Sequence, residues 1–170
     1  MEVSIRMARK GDAKGVVAFW NEALNSGHLK YTGNNRRRGK ADIKKFDESY
    51  SKRNRGSFSF LALSGEGKII GVSSFDSGRY GRTRHLGGMG WSVHQSYTRK
   101  GIGTMLLRAV LEEAKRRGFK RAEAEAAVEN IASVRLAKRL GFRIEGRKKA
   151  GLVLENGRYV DTYIFGKILR

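Results

Sequence analysis

The chain has 170 residues, the length of one ordinary domain, and its 36 Lys plus Arg against 16 Asp plus Glu leave a formal charge of +20, which favours polyanionic partners: nucleic acid, phosphorylated small molecules or an anionic surface. It contains no cysteine, which excludes a disulfide framework, a thiolate metal site and a cysteine nucleophile. No apolar run approaches the roughly 20 residues that span a bilayer, and "MEVSIRMARKGD" has no signal-peptide hydrophobic region, so the expectation is one cytoplasmic domain over residues 1–170 with no membrane partner.

In chain order, "VSIRMA" (Val3 to Ala8) alternates as an edge strand, and Asp12 is placed to cap a helix in which Val16, Val17, Trp20 and Leu24 form one stripe. Trp20 therefore reads as core. The stretch Asn25 to Lys40 is basic and lacks periodicity, which predicts a long surface loop of the kind that often covers a substrate site. A second short helix follows at "ADIKKFDESYSKR", with Ile43, Phe46 and Tyr50 aligned. Strands are expected at Ser57 to Leu63, Lys68 to Gly78 and His85 to His94, the first two joined as a hairpin by "SGEG".

"YTRKGIGTMLLRAVLEEAKRRG" (Tyr97 to Gly118) places two glycines after a basic run and before the helical stripe Leu106, Leu107, Val110, Leu111 and Ala114. A helix start carries unpaired N–H groups and the positive end of the dipole. Gly101 and Gly103 leave that backbone bare, so a phosphate can settle on it. The dinucleotide fingerprint needs a glycine where Leu106 stands, and the P-loop signature is also missing. Arg121 to Val128 is read as a strand despite its helix-favouring composition, because Glu123 and Glu125 alternate with alanines between Gly118 and Asn130. Asn130 caps the next helix, with Val134, Ala137 and Leu140 or Leu136 inward and Gly141 closing it. Two final strands, Arg147 to Glu155 and Arg158 to Leu169, join through Asn-Gly. The order predicts a mixed α+β fold with helices on both faces of the sheet.

From His85 to Leu169, about half the chain, the segments "SVHQSYTRKGIGTMLLRAVLEEAKRRGF", "VENIASVRLAKRLGF" and "LENGRYVDTYIFGKIL" together resemble the GNAT superfamily of acetyl-CoA-dependent N-acetyltransferases, and the tail looks like the ribosomal-protein N-terminal acetyltransferase branch. The resemblance implies a sheet of about seven strands, mostly antiparallel, splayed between strands 4 and 5. It also implies direct transfer of an acetyl group from acetyl-CoA to a primary amine in a ternary complex, without a metal. Arg99, Lys100, Gly101, Ile102, Gly103 and Thr104 would hold the coenzyme's pyrophosphate on their amides. The pantetheine would bond to backbone around Trp91, Ser92 and Val93, and to the side chain of Asn130.

Departures from the family bear on catalysis. Thr98 and Arg99 stand where the resemblance leads one to expect Arg or Gln followed by Gly, and Ala137 replaces a tyrosine that steadies the leaving thiolate. Ser133, one turn earlier, is assigned to the sulfur instead. Gly88 stands where relatives often carry a basic glutamate, which leaves Glu155, Glu123, Glu125, Asp161 and His94 as candidate bases and Tyr163 as a candidate acid. A lysine-like ammonium titrates near 10.4 and a peptide α-amino group near 8, so the missing carboxylates point to water-mediated deprotonation or to an α-amine. The acceptor is expected to be a protein or peptide N-terminus or an amino-acid-like amine, because a +20 chain repels polyamines. The charge also suits ribosome or RNA proximity. Alternatives are a coenzyme-binding sensor and an RNA-binding module carried by Asn34 to Lys40, Arg53 to Arg55 and Arg79 to Arg84. An exposed C-terminal strand would permit a homodimer as well as a monomer.

Overall fold

The computed structural model describes residues 2–26, 30–33, 36–51, 56–78 and 80–170. Among these the order is β1 (Val3–Met7), α1 (Ala13–Asn25), α2 (Lys40–Ser51), β2 (Ser57–Ser64), β3 (Ile69–Ser77), β4 (Leu86–Val93), α3 (Ile102–Arg116), β5 (Arg121–Ala127), α4 (Ile131–Arg139), β6 (Arg143–Val153) and β7 (Tyr159–Ile168). The strands make one sheet in the order β1-β2-β3-β4-β5-β7-β6. Every neighbouring pair is antiparallel except β4 and β5. The mixed seven-stranded sheet expected from the sequence is the one that forms.

Alternation along the strands sorts side chains between the two faces. Phe75, Met89, Ala122, Ala124 and Phe165 pack with Leu106, Leu107 and Val110 of α3 and Val134 and Ala137 of α4. On the other face Leu61, Ile69 and Val72 lie under Val16 and Phe19 of α1, with Phe46 and Tyr50 of α2 packed against them. Burial explains why β5 is a strand although its composition favours helix: Ala122, Ala124 and Ala126 all go into the α3–α4 core, and tertiary packing outweighs propensities of a few tenths of a kcal/mol per residue.

Four expectations need correction. The buried stripe of α1 runs through Ala13, Val16, Val17, Phe19 and Ala23, so Phe19 replaces Trp20 and Leu24 on the innermost line. Asp12 holds the N-cap position without a side-chain cap bond; its carboxylate is taken by a bidentate pair with Arg6 at 2.7 Å and by the N–H of Arg9 at 2.8 Å. Strand β6 begins at Arg143, four residues before Arg147, because Arg143, Ile144 and Gly146 still pair with β7. The C-terminal strand is not an edge: β7 lies between β5 and β6, and the free edges belong to β1 and β6. Of the basic clusters, Asn34, Asn35, Arg53 to Arg55 and Arg79 lie outside the described residues.

Candidate active site

Strands β4 and β5 pair only where Leu86, Gly87 and Gly88 meet Arg121, Ala122 and Glu123. Beyond that point β4 follows β3 to Val93 and β5 follows β7 to Ala127. The facing edges of 89–93 and 124–127 therefore have no strand partner, and the sheet opens into a wedge with backbone donors and acceptors along it. Trp91 and Val93 line its α3 side, half-buried against the core. Ser92, opposite Val72, is buried on the other side.

The wedge runs out at the start of α3. There Gly101 adopts φ 80° as N-cap, no side chain caps the helix, and its first turn has no acid. The first amide inside the helix to find a backbone partner is that of Met105, which donates to Gly101 at 3.1 Å. The amides of Ile102, Gly103 and Thr104 thus point out of a 15-residue helix at the positive end of its dipole. Arg99 is also left-handed, φ 59°, a conformation that costs a non-glycine residue about 1 kcal/mol or more. Lys100 donates to the carbonyl of Ser96 at 3.2 Å and lies 5.2 Å from the ring centre of Tyr97, so its charge is drawn toward the short 3₁₀ turn Gln95–Tyr97.

The two glycines turn out to have different tasks. A Cβ on Gly101 would touch nothing within 4 Å; the residue is required by its positive φ. A Cβ on Gly103 would sit 3.0 Å from Cδ2 of Leu136. The absence of a side chain at Gly103 therefore also lets α3 sit close against α4.

Across the wedge, Asn130 caps α4 by accepting the N–H of Ser133 at 3.2 Å. Its Nδ2 and the hydroxyl of the half-buried Ser133 make no hydrogen bond among the described residues. Tyr163 lies opposite Ala126, half-buried on the α3–α4 side with its ring 6.1 Å from Phe165.

The other face of the wedge is that of Gly88, Gly90 and Ser92. Gly88 and Gly90 leave β4 bare there, with nothing within 4 Å of an added Cβ. Most of the candidate bases already have partners. Asp161 accepts the N–H of Ala150 at 3.0 Å and pairs with Lys149 and Arg147, which holds it down to about 2. Glu123 pairs with Arg121 at 2.8 Å. Glu125 receives the hydroxyl of Thr162 at 2.5 Å and Lys148 at 2.8 Å; burial works against its charge, but these two partners outweigh it and keep the carboxyl below its usual range. His94 faces Glu22 through Nε2 at 3.2 Å and accepts the N–H of Ser96 through Nδ1 at 3.3 Å, so neither nitrogen is left for a substrate. Glu155 is exposed in the β6–β7 turn. Among the described residues no cluster of His, Asp and Glu is placed to hold a metal.

The described parts of the loop expected between Asn25 and Lys40 make specific contacts. Between α1 and α2, Tyr31 packs on Ala127, Leu154 and Val160 at the β5–β7–β6 corner. Nearby, Glu129 and Arg158 form a bidentate pair at 2.6 and 2.8 Å. The connection then returns to α1, where the side chain of Asn21 accepts the N–H of Arg38 at 2.9 Å and donates to its carbonyl at 3.0 Å.

Residues 20–142 match the acetyltransferase (GNAT) family. The chain belongs to that family. It is an acetyl-CoA-dependent N-acetyltransferase. A Pseudomonas aeruginosa relative, an L-methionine sulfoximine/L-methionine sulfone acetyltransferase, is 31% identical over 154 residues, which cover 86% of this chain and 84% of that one. A GNAT acetyltransferase from Streptococcus pneumoniae superposes with a TM-score of 0.89 at 27% identity, covering 98% of this chain and 99% of that one. A Salmonella typhimurium protein solved with its cofactor acetyl-CoA superposes with a TM-score of 0.86 at 24% identity, covering 100% of this chain and 95% of that one. In this acetyltransferase the wedge and the α3 amides lie next to one another.

Proposed function

We propose that this acetyltransferase acts on the primary amine of a small amino-acid-type acceptor. The observation that carries this reading is the relative named for methionine sulfoximine and methionine sulfone, whose match extends over most of both chains. The pyrophosphate of acetyl-CoA rests on the amides from Arg99 to Thr104, in keeping with an uncapped helix start that has no acid in its first turn. The pantetheine lies in the wedge against backbone of Trp91, Ser92 and Val93 and takes a hydrogen bond from Nδ2 of Asn130. The amine lone pair attacks the thioester carbonyl carbon from the side of Gly88 and Gly90. The C–S bond then breaks, and the hydroxyl of Ser133 faces the leaving thiolate. Water takes the ammonium proton, since Glu123, Glu125 and Asp161 are held by cations and His94 has both nitrogens occupied. Glu155 and Tyr163 remain as the acid–base pair only if the hairpin turn closes on the acceptor.

A protein or peptide N-terminus is the second reading, supported by the ribosomal-protein resemblance of the tail and by the +20 charge, which suits proximity to RNA. Free-thiol release from acetyl-CoA decides between them across methionine sulfone, methionine sulfoximine, common L-amino acids, polyamines and N-terminal peptides. The amino-acid reading requires the highest kcat/KM within the first three groups. Turnover with peptides alone would transfer the conclusion to the second reading.

A further inference from the structure

The water that takes the ammonium proton must pass it on, and one carboxylate on the Gly88 face is free to receive it. Asp76 is exposed on β3, and its side chain makes no hydrogen bond or ion pair among the described residues. Phe75 before it is buried in the α3 core against Phe58 and Phe119, so alternation turns Asp76 to the face of Gly88, Gly90 and Ser92. The register is definite: Asp76 stands opposite Gly88 on β4, and Gly88 opposite Glu123 on β5. That row is the last one closed before β4 and β5 part.

Directly opposed residues on neighbouring strands carry their Cβ positions about 4.5–5.5 Å apart, and nothing lies within 4 Å of the Cβ that Gly88 lacks. A carboxylate on Asp76 is therefore one water away from a group resting above Gly88, a reach at which a general base can work. The groups around Asp76 leave it available. Its strand partners are Ser57 on β2 and Gly88 on β4. From α2, Tyr50 reaches Ser59 with a phenol that burial pushes up to about 12. Glu123 is paired with Arg121, and Arg82, Arg84 and His85 in the connection to β4 are exposed.

We propose that Asp76 is the proton acceptor of the transfer. The ammonium gives one proton to water and the water gives one to the Asp76 carboxylate, leaving a neutral amine. Its lone pair forms the C–N bond, the C–S bond breaks, a second proton leaves the nitrogen for the thiolate, and Asp76 returns its own to solvent. The assignment rests on the approach over Gly88 and Gly90 proposed above and is independent of which amine is the acceptor.

The test follows thiol release from near neutral to about pH 10, using the acceptor that wild type turns over fastest. Asp76→Asn should lower kcat/KM about 100-fold near pH 7, and the deficit should shrink as the pH rises and the amine deprotonates on its own. Asp76→Glu should recover all but about 10-fold. With no partner to lose, both variants should keep the melting temperature, and acetyl-CoA affinity should be unchanged. A deficit that is the same at every pH, or a kcat/KM within about 3-fold of wild type near pH 7, overturns the assignment. Gly88→Val judges the approach separately: the space it fills is open, so the chain should fold and KM for the acceptor should rise at least about 10-fold. A raised KM beside an inert Asp76→Asn leaves the approach standing and removes Asp76. An unchanged KM shows that the acceptor arrives elsewhere, and the assignment falls with it.

Discussion

Gly103 offers a perturbation whose outcome can be worked out atom by atom. An alanine Cβ there would stand 3.0 Å from Cδ2 of Leu136 and 3.9 Å from Cγ2 of Val93. Carbon atoms prefer about 3.5–4.0 Å, so Leu136 must retreat by about half an ångström or α3 must lift from α4. Overpacking of this kind costs about 1–3 kcal/mol. Against it stands the gain of replacing glycine in a helix, at most about 1 kcal/mol and less in the first turn. Gly103→Ala should therefore lose about 1 kcal/mol, which for a chain of this length lowers the melting temperature by about 2–4 °C.

The decisive measurement is a double-mutant cycle with Leu136→Ala, by urea unfolding. Leu136→Ala alone costs about 2 kcal/mol, because the side chain is half-buried. With Leu136 truncated the obstacle is gone, so Gly103→Ala should become neutral or stabilising, leaving a coupling of about 1–2 kcal/mol. Gly101→Ala, where the cost comes from φ 80° and no atom is in the way, should lose about 1–2 kcal/mol in either background. A cycle for Gly103 and Leu136 that closes additively, within about 0.3 kcal/mol, would refute the packing role and return Gly103 to the ligand-clearing role that its spacing suggests.

Three further outcomes follow from the same geometry. Asn130→Ala removes the cap on Ser133 N–H and should cost about 1 kcal/mol, whereas Asn130→Asp keeps an accepting oxygen and should hold the melting temperature; if Nδ2 serves the coenzyme, both variants raise KM for acetyl-CoA in steady-state assays. Ser133→Ala should leave the melting temperature unchanged, since its hydroxyl has no partner among the described residues, and should lower kcat about 10-fold with little change in KM if the hydroxyl faces the thiolate. Asp12, held below the ordinary carboxylate range chiefly by Arg6, stabilises the fold above its unfolded value near 3.9 and loses that contribution as the pH falls through its lower folded value. Asp12→Asn should therefore cost up to about 1 kcal/mol at pH 7 and progressively less in denaturation curves taken below about pH 4.

What could be read from the sequence was what local signals specify. The α3 loop combines a basic run, two glycines and a helical stripe within one short segment, and β5 betrays itself by alternation between two stop signals. These are short-range patterns, and the element types they imply agree with the structure. The sites that needed coordinates depend on pairings between distant residues. That Glu125 is held by Lys148 and Thr162 follows from β5, β6 and β7 meeting across the sheet, and that Asp161 is held by Ala150 N–H follows from an irregularity between Lys148 and Leu152. Neither spacing leaves a mark in the sequence.

The arginine triplet makes the same point. Arg36, Arg37 and Arg38 are chemically identical and consecutive, and composition treats them alike as a solvated basic run. Arg36 is bonded to Asp42, the exposed Arg37 approaches Asn25 at 3.4 Å, and Arg38 alone turns inward onto Trp20. The choice is made by Asn21, which clasps the backbone of residue 38 and so directs that side chain toward the last turns of α1. A donor that always presents a pyrophosphate can be bound by backbone amides and a glycine with positive φ, which leave a local sequence signature. An acceptor is distinguished by the position of one or two charges, and such positions are set by contacts that link residues far apart in the chain, as those of Glu125 with Lys148 and Thr162 do across the sheet. That difference is why a donor loop leaves a local pattern in the sequence and an acceptor pocket does not.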